Sequence, residues 1–287
     1  MGRRARIVVA GAGALGSVIA LKLAKAGFDT TAVDPAPLGD NASGVAAGML
    51  APAFESLFDE ATRGRYALLA AARDLWPPLA AEIGLALAQE GALALGPREA
   101  AAQWAALLTA MGAEARLLSP GETGALSGLG DGAWSVFAPG DWRLEPRPAL
   151  RLLKAAAERA GARFVAGRVV DFAEGFVALA GAAPLPADVL VLATGPAPLA
   201  SIAPELATLA PVKGHILKAE GVFAPAPVVR LARAYLCRGA EGAILGATME
   251  EGEGDPAVEP AVASRLLEEA ADLAAGLGPL AWRAEAG

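Results

Sequence analysis

Three glycines near the N-terminus, Gly11, Gly13 and Gly16, lie between a short apolar run and a helical pattern in the segment GAGALG. Residues 7–10 are continuously apolar, which is typical of a buried parallel strand, and residues 15–26 have the periodicity of a helix. In this context the first glycine permits a tight turn and the second lets the backbone approach a pyrophosphate. The third lets the helix pack closely against the strand. The segment therefore predicts the phosphate-binding turn of a βαβ unit.

An acidic residue is in register with these glycines. A second strand is predicted over residues 30–33, and Asp34 stands at its end, 18 residues after Gly16. A carboxylate at this position can accept hydrogen bonds from both ribose hydroxyls. The strand, helix and strand form a right-handed crossover, so the fold is predicted to be a doubly wound sheet that binds a dinucleotide. FAD and NAD share the adenosine ribose and the pyrophosphate, and these residues do not choose between them.

A second segment of small residues, NASGVAAGMLAP, occupies residues 41–52 directly after the second strand. It is too apolar and too rich in small residues for an ordinary loop. Its backbone can approach a flat ring closely, and the Ser43 hydroxyl can reach a phosphate. The alternative is the start of a buried, alanine-rich helix. If the segment does meet a ring, it favours a flavin over a nicotinamide.

Composition narrows the range of partners. A chain of 287 residues with 55% apolar residues can bury one large or two modest cores, and its net charge of −7 argues against nucleic acid or an anionic membrane as a partner. One cysteine, Cys237, and one histidine, His215, exclude an internal disulfide and a multi-histidine metal site. We therefore expect small-molecule partners and no metal.

The N-terminus has the basic start and apolar run of a signal peptide, but glycines at nucleotide-motif spacing interrupt the run. No later run approaches the roughly 20 apolar residues of a membrane span. A cytoplasmic location is therefore predicted.

The remaining periodicity predicts an alternation of helices and strands. Helices are predicted at 59–87, 97–111, 149–160 and 260–275, strands at 92–95, 133–137, 163–172, 189–193, 215–219, 234–237 and 243–247, and a loop at 140–148. The strand at 189–193 is almost wholly apolar, and we expect it in the centre of the sheet. The last two strands are joined by the turn GAEG.

Several segments together resemble one family. GAGALG, Asp34, ASGVAAGMLAP, VLATGP at 191–196, PVKG at 211–214 and LGATMEE at 245–251 follow the order of the glycine oxidase type within the D-amino acid oxidase superfamily. ASGVAAGMLAP and GATME are the specific motifs. The resemblance implies an α/β fold with a Rossmann-like FAD-binding domain and a second, mainly antiparallel-sheet substrate domain.

The domain division that follows is discontinuous. The FAD-binding domain is expected over residues 1–85, 146–212 and 262–287. The substrate domain is expected over residues 86–145 and 213–261.

By this resemblance FAD is bound in extended form, mostly through the backbone. Ala14 and Leu15 meet the pyrophosphate with the three glycines, Asp34 and Pro35 meet the adenosine ribose, and Val169 holds the adenine. The other implied contacts are Ala42 and Ser43 with phosphate, Ala47, Gly48 and Met49 with the flavin ring, and Thr194 and Gly195 in a close turn beside the cofactor.

The implied activity is oxidation of glycine or another small amine. A hydride passes from the substrate to the flavin, water hydrolyses the resulting imine to a 2-oxo acid, and dioxygen reoxidises the flavin with release of hydrogen peroxide. The resemblance further implies supply of the imine for thiamine thiazole synthesis and a tendency to self-associate. No acid–base dyad is required, since the cofactor supplies the chemistry.

Tyr235 is the implied ligand of the substrate carboxylate, and Met249 and Met49 are expected to line the substrate pocket. The alternatives are a half-buried strand tyrosine and two core methionines. Arg238 is a further candidate for the carboxylate, although its place beside the GAEG turn favours a solvated residue. We interpret His215 as a structural histidine and Cys237 as a small strand residue.

Relatives of this type continue past a final helix with a Gly-x-Arg-Pro element whose arginine binds the substrate carboxylate, whereas this sequence ends in AWRAEAG. Two interpretations stay open: an incomplete copy of a catalytic protein, or a short form with an open flavin site and no activity of its own. Three other functions also stay open, namely a flavin D-amino acid dehydrogenase that reduces a quinone, a noncatalytic FAD-binding module, and an NAD-dependent dehydrogenase.

Overall fold

The computed structural model describes residues 4–129, 133–196, 199, 201–221, 225–231, 234–271 and 281–287. Its helices are α1 (Ala14–Lys25), α2 (Ala42–Val45), α3 (Pro52–Phe58), α4 (Tyr66–Arg73), α5 (Trp76–Ile83), α6 (Arg98–Ala110), α7 (Pro120–Ser127), α8 (Pro146–Arg159) and α9 (Pro260–Glu269), with a 3-10 turn at Pro204–Thr208. No helix in these ranges is long and apolar enough to cross a membrane.

The strands of the described ranges follow in chain order. They are β1 (Arg6–Ala10), β2 (Asp29–Asp34), β3 (Met49–Leu50), β4 (Leu87–Ala88), β5 (Ala92–Gly96), β6 (Arg116–Leu118), β7 (Trp134–Ala138), β8 (Trp142–Leu144), β9 (Arg163–Ala166), β10 (Val169–Ala173), β11 (Phe176–Leu179), β12 (Ala182–Pro186), β13 (Val189–Leu192), β14 (Val212–Lys213), β15 (His215–Glu220), β16 (Val228–Arg230), β17 (Tyr235–Arg238), β18 (Gly242–Gly246), β19 (Glu250–Glu251) and β20 (Arg283–Ala286).

A parallel sheet in the order β13-β1-β2-β9 forms the predicted doubly wound unit. Helices α1 and α8 lie against each other beside it, and their contact buries Leu21, Leu153 and Ala157. The α/β fold class is confirmed, and the sheet places the end of β1, the start of α1 and the end of β2 side by side.

The position of β13 corrects one prediction. We expected the strand at 189–193 in the centre of the sheet, but β13 lies at the end of the strand order and pairs with β1 alone among the described residues. Val189 is 44% exposed. No residue of β13 is fully buried, so the apolar run determined neither the burial of its side chains nor the number of neighbouring strands.

A larger sheet runs β20-β15-β18-β17-β16-β5-β7-β6, and all its pairs are antiparallel except β16 with β5. Alternate residues face opposite sides, as the strand period of two requires. Leu236 and Leu245 pack in a cluster with α9, whereas Cys237 and Ile244 pack on the other face in the cluster that contains Phe54 of α3. The sheet therefore has two buried faces, and the second faces α3 and α6.

The described residues also form smaller sheets. The order β3-β8-β4 joins the small-residue segment to β8, β10, β11 and β12 form a three-stranded meander, and β14 pairs with β19. The strand β8 and the start of α8 occupy part of the loop expected at 140–148, because Pro146 suits the first turn of a helix.

Three other boundaries differ from expectation. The helix predicted over 59–87 is two helices, since prolines at the start of α5 begin a new helix there. The strand predicted over 163–172 divides into β9 and β10, which belong to different sheets. The helix predicted over 260–275 is helical to Glu269, and residues 272–275 lie outside the described ranges.

The division into two domains stays a prediction. It assigns residues 262–287 to the FAD-binding domain, and β20, which lies in that range, pairs with β15 of the large sheet.

Candidate functional site

The glycine turn after β1 is shaped by backbone contacts that leave no space for side chains. Gly11 has φ +99°, and a Cβ there would overlap the carbonyl oxygen of Ala193. A Cβ on Gly16 would overlap the carbonyl oxygen of Gly11, so α1 can start this close to the turn only with glycine. A Cβ on Gly13 would lie 3.0 Å from Ser43 Oγ. The turn is thus a cradle between β13 and α2.

Helix α1 begins directly after this cradle. Its N-cap residue, Gly13, has no side chain that could cap the helix, and Leu15 in the first turn is 73% exposed. The Ala14 N–H donates to Ser43 Oγ at 3.0 Å, which brings the small-residue segment to the helix start. Exposed N–H groups and the helix dipole suit this position for a phosphate. The neighbouring Ala42 is exposed as well.

Asp34 joins the cradle to the loop after β2. Its Oδ2 accepts the N–H of Ala12 at 2.7 Å and its Oδ1 accepts the N–H of Ala36 at 2.9 Å. A carboxylate has about four acceptor sites, so two stay available for ribose hydroxyls. Pro35 is exposed beside it, and the Asp34 carbonyl accepts the N–H of Gly167, which leads into Val169. Val169 is buried at the start of β10.

Thr194 supports the presence of a ligand here. It is the second residue after β13 and lies beside the Gly11 turn, and its buried Oγ1 has no hydrogen-bond partner within the described residues. A buried hydroxyl without a partner costs free energy, and a bound group that supplies the hydrogen bond removes this cost. Gly195 next to it has φ +62° and is exposed. The cradle and the orphaned hydroxyl together fit a dinucleotide.

A cavity of about 960 Å³ extends from the small-residue segment to the large sheet. Its lining includes Ala47, Gly48 and Met49 of the small-residue segment together with Tyr235 and Met249. The structure therefore brings the three residues expected in the substrate pocket around one space.

Two details describe the walls of this cavity. Gly48 has φ +75°, and a Cβ there would overlap the Leu144 carbonyl, so this wall is pressed against β8. Met249 is 76% exposed, which is not the environment of a core methionine.

Tyr235 lies flat against β18. A Cβ on Gly246, its cross-strand partner, would meet the phenol ring and oxygen. Burial raises the pKa of the Tyr235 hydroxyl above its usual range, so the group stays protonated and can donate a hydrogen bond.

Arg230, which no sequence motif marks, has a side chain that is 11% exposed and lines the same cavity. Its Nη2 donates to a carboxylate oxygen of Glu55, in an ion pair, and contacts Met49 Sδ at 3.5 Å. Its Cζ lies 5.8 Å from the centre of the Phe54 ring. A strand prediction over 228–230 would have paired Arg230 with Tyr235 and drawn attention to it, but that short segment carries no turn signal of its own.

Asp141 fixes the helix that carries Glu55. Its buried carboxylate accepts the N–H groups of Ala53 at 2.8 Å and Phe54 at 3.0 Å, the first turn of α3. Burial raises the pKa of Asp141 to about 6, because the loss of solvation outweighs these two hydrogen bonds.

His215 is fully buried in a polar network beside Met249. Its Nε2 accepts the N–H of Glu259 at 3.0 Å, so the hydrogen of the neutral ring lies on Nδ1, which is 2.8 Å from Glu250 Oε1. Lys213 Nζ donates to Glu259 at 2.8 Å. These bonds tie β14, β15 and β19 to the start of α9.

The two remaining candidates, Cys237 and Arg238, lie at the end of β17. Burial raises the pKa of the Cys237 thiol to about 12, so it is protonated and unreactive. Arg238 is exposed at the end of β17.

Comparisons with known proteins agree with this geometry. The family model described as "DAO: FAD dependent oxidoreductase" matches residues 6–287. No curated protein matches the chain by sequence.

Solved structures with a similar fold include two oxidases and a dehydrogenase. Glycine oxidase from Geobacillus kaustophilus is 24% identical with a TM-score of 0.84, over 99% of this chain and 82% of that one. Iminodiacetate oxidase from Chelativorans sp. BNC1 is 24% identical with a TM-score of 0.85, over 98% and 82%. L-proline dehydrogenase from P. horikoshii is 19% identical with a TM-score of 0.78, over 100% and 82%. At these identities the likeness is one of fold.

Proposed function

The chain belongs to the family of FAD-dependent oxidoreductases, and on that premise we propose that it oxidises glycine or another small primary or secondary amine, with release of hydrogen peroxide. The observation that carries the proposal is the single cavity that joins the small-residue segment to Met49, Tyr235 and Met249. The products are an imine and, after hydrolysis, a 2-oxo acid or aldehyde. Thiamine thiazole synthesis is the metabolic role that we propose for the imine.

FAD, when bound, supplies the two-electron oxidation, and the protein binds, orients and shields the reactants. The diphosphate is assigned to the glycine turn, Ala14, Leu15 and Ser43, at the open end of α1. The ribose is assigned to Asp34, whose carboxylate has free acceptor sites. The flavin ring is assigned to the backbone at Ala47 and Gly48, where Gly48 lies against Leu144 of β8.

The residues around the cavity suit a small amine. Tyr235 offers a protonated hydroxyl as a donor for a carboxylate. Met49 and Met249 provide apolar contacts that displace water without competing for hydrogen bonds. Glu55 and Glu250 place carboxylates in the same cavity, where they attract an ammonium group.

An absorption spectrum before and after anaerobic addition of amine tests the proposal. The purified protein is expected to show flavin absorbance that bleaches on addition of glycine or sarcosine, and to form peroxide when air is admitted. A yellow protein that no small amine bleaches would contradict the proposal and favour a binding module. Bleaching with reoxidation by a quinone but not by air would indicate a dehydrogenase instead.

A further inference from the structure

A second cavity, of about 440 Å³, lies between the start of α8 and the strands β15, β18 and β20. Its lining includes none of the residues assigned to the glycine turn, and neither Tyr235 nor Met249. Four cationic side chains border it, from α8, β15 and β20: Arg147, Arg151, Lys218 and Arg283. The amine-oxidising site leaves this cavity without a role.

Three of the four cations meet on one carboxylate, that of Glu285 in β20. Lys218 Nζ lies 2.7 Å from Glu285 Oε2, and Arg147 Nη2 lies 3.1 Å from the same oxygen. Arg147 Nη1 lies 3.4 Å and Arg283 Nη2 lies 2.8 Å from Oε1. Each oxygen thus faces two nitrogens, which fills the roughly four acceptor sites of a carboxylate.

Glu285 carries a full negative charge in this arrangement. Burial opposes its ionisation, but the hydrogen bonds from Lys218 and Arg147 outweigh burial and hold the pKa of the carboxyl below its ordinary value. One negative charge still leaves three cations in excess. Lys218 and Arg283 are moreover direct cross-strand partners, an arrangement that like charges disfavour. The protein therefore holds positive charges together at a cost.

The first turns of α8 add to this positive charge. Arg151 lies one turn after Arg147, so the two side chains share a face of the helix. Arg151 has no hydrogen-bond or ion-pair partner in the described part of the chain. The helix start has no capping side chain, and the positive end of its dipole lies beside the cations. The N–H groups that Glu285 does not engage stay available to a second anion.

The acidic residues of the lining do not cancel the excess. Glu145 is paired with Arg143 at 2.7 Å. Glu220, at the end of β15, and Glu241, in the turn before β18, are exposed, so water and salt screen their charges. The cations outnumber the carboxylates even with both of these counted in full.

The remaining lining is small and largely apolar, and includes Ala46, Pro148, Ala243 and Ile244. The cavity is larger than an inorganic anion needs, and it falls within the range of roughly 300–1,000 Å³ that is usual for sites of small organic ligands. It therefore combines anion-binding groups with apolar surface.

We infer that this cavity binds a small organic phosphate, with the phosphate group among the four cations and the organic part against the apolar lining. A phosphate monoester suits the cluster because it carries nearly two negative charges at neutral pH and several acceptor oxygens, which match the excess charge and the arginine forks. The site is separate from the substrate pocket, and the inference does not depend on the proposed function.

Phenyl phosphate is the probe, and calorimetric titration of the FAD-loaded protein measures its binding. We expect saturable binding that phenol does not show. Arg151→Gln should weaken it by about fivefold or more, since a charge-assisted contact is lost. This substitution breaks no ion pair within the described residues, so the fold stays intact. Arg159→Gln, in the last turn of α8 and outside the cavity, is the matched control and should leave binding unchanged.

Two further measurements examine the charge of the cluster. Glu285→Gln removes the anion between the cations and should tighten phenyl phosphate binding by about fivefold or more. Phenyl sulfate, the singly charged analogue, should bind wild type at least about fivefold more weakly than phenyl phosphate at pH 7.5. Weaker phenyl phosphate binding by Glu285→Gln, or equal binding of the two probes, would overturn the placement of the phosphate among these cations.

Other results would overturn the site as a whole. These are the absence of saturable phenyl phosphate binding, and binding that Arg151→Gln leaves unchanged. Binding to flavin-free protein that FAD abolishes would place the probe at the glycine turn and would also overturn the inference. Urea denaturation of each variant reports its folding. A protein that oxidises no amine but binds phenyl phosphate through Arg151 would refute the proposed function and leave this site intact.

Discussion

Asp141 makes the pH dependence of stability a quantitative test of the site. Burial raises its pKa from an ordinary 3.8 to about 6, so between these values the folded chain binds more protons at this group than the unfolded chain. Stability from this group is then highest at low pH and falls as the pH rises through about 6. At 1.36 kcal/mol per pKa unit, the full difference is about 3 kcal/mol.

The measurable part of this difference lies above the isoelectric point, near 4.9, where solubility is lowest. Between pH 5 and pH 7.5 the two pKa values correspond to a loss of about 1.4 kcal/mol. Asp141→Asn removes the titration. The difference in free energy of unfolding between wild type and this variant, measured by urea denaturation at each pH, should therefore fall by about that amount.

The amide that Asp141→Asn introduces has one acceptor oxygen, so it leaves the N–H of Ala53 or Phe54 without an acceptor. This lowers the free energy of unfolding of the variant by the same amount at every pH and does not affect the pH dependence of the difference. A difference that is flat or rises with pH would refute the reasoning. It would mean that the two N–H groups at the start of α3 outweigh burial, so that Asp141 is ionised throughout.

Three further substitutions address the cofactor and substrate sites. Gly16→Ala places a methyl group against the Gly11 carbonyl, and we expect the purified variant to hold less than about a tenth of the flavin of wild type, as measured by absorbance. The control is Gly121→Ala, whose Cβ contacts no other atom and which should keep its flavin. Thr194→Val removes the hydroxyl that lacks a partner, so in urea denaturation the flavin-free variant should be as stable as wild type or more stable by about 1 kcal/mol. Fluorimetric titration should show that FAD binds the variant about five- to tenfold more weakly. A flavin-free variant that is less stable than wild type would contradict an unpaired hydroxyl. Tyr235→Phe should raise KM for an amino acid by about tenfold with unchanged flavin content, and an unchanged KM would remove Tyr235 from the substrate site.

The nucleotide half of the site was predictable from the sequence because its signals are local. The turn needs glycine where the backbone is left-handed or crowded, and Gly11 and Gly16 have these constraints within six residues of one another. The strand before the turn and the helix after it are marked by their own periodicity. Asp34 follows from the length of one helix and one strand. Apart from the crowding of Gly11 by Ala193, these features arise between residues that are close together in the sequence.

The substrate end depended on the tertiary structure. Arg230 and Glu55 are 175 residues apart, and they meet only because the register of β16 and the placement of α3 bring them to one cavity. The cap that Asp141 provides for α3 spans 87 residues, and the edge position of β13 depends on which strands pair with it. No short pattern encodes such contacts, since they arise from strand pairing and packing between segments that are far apart in the sequence. Sequence alone determined a dinucleotide-binding α/β chain, and the tertiary structure decided which charged groups face its cavity.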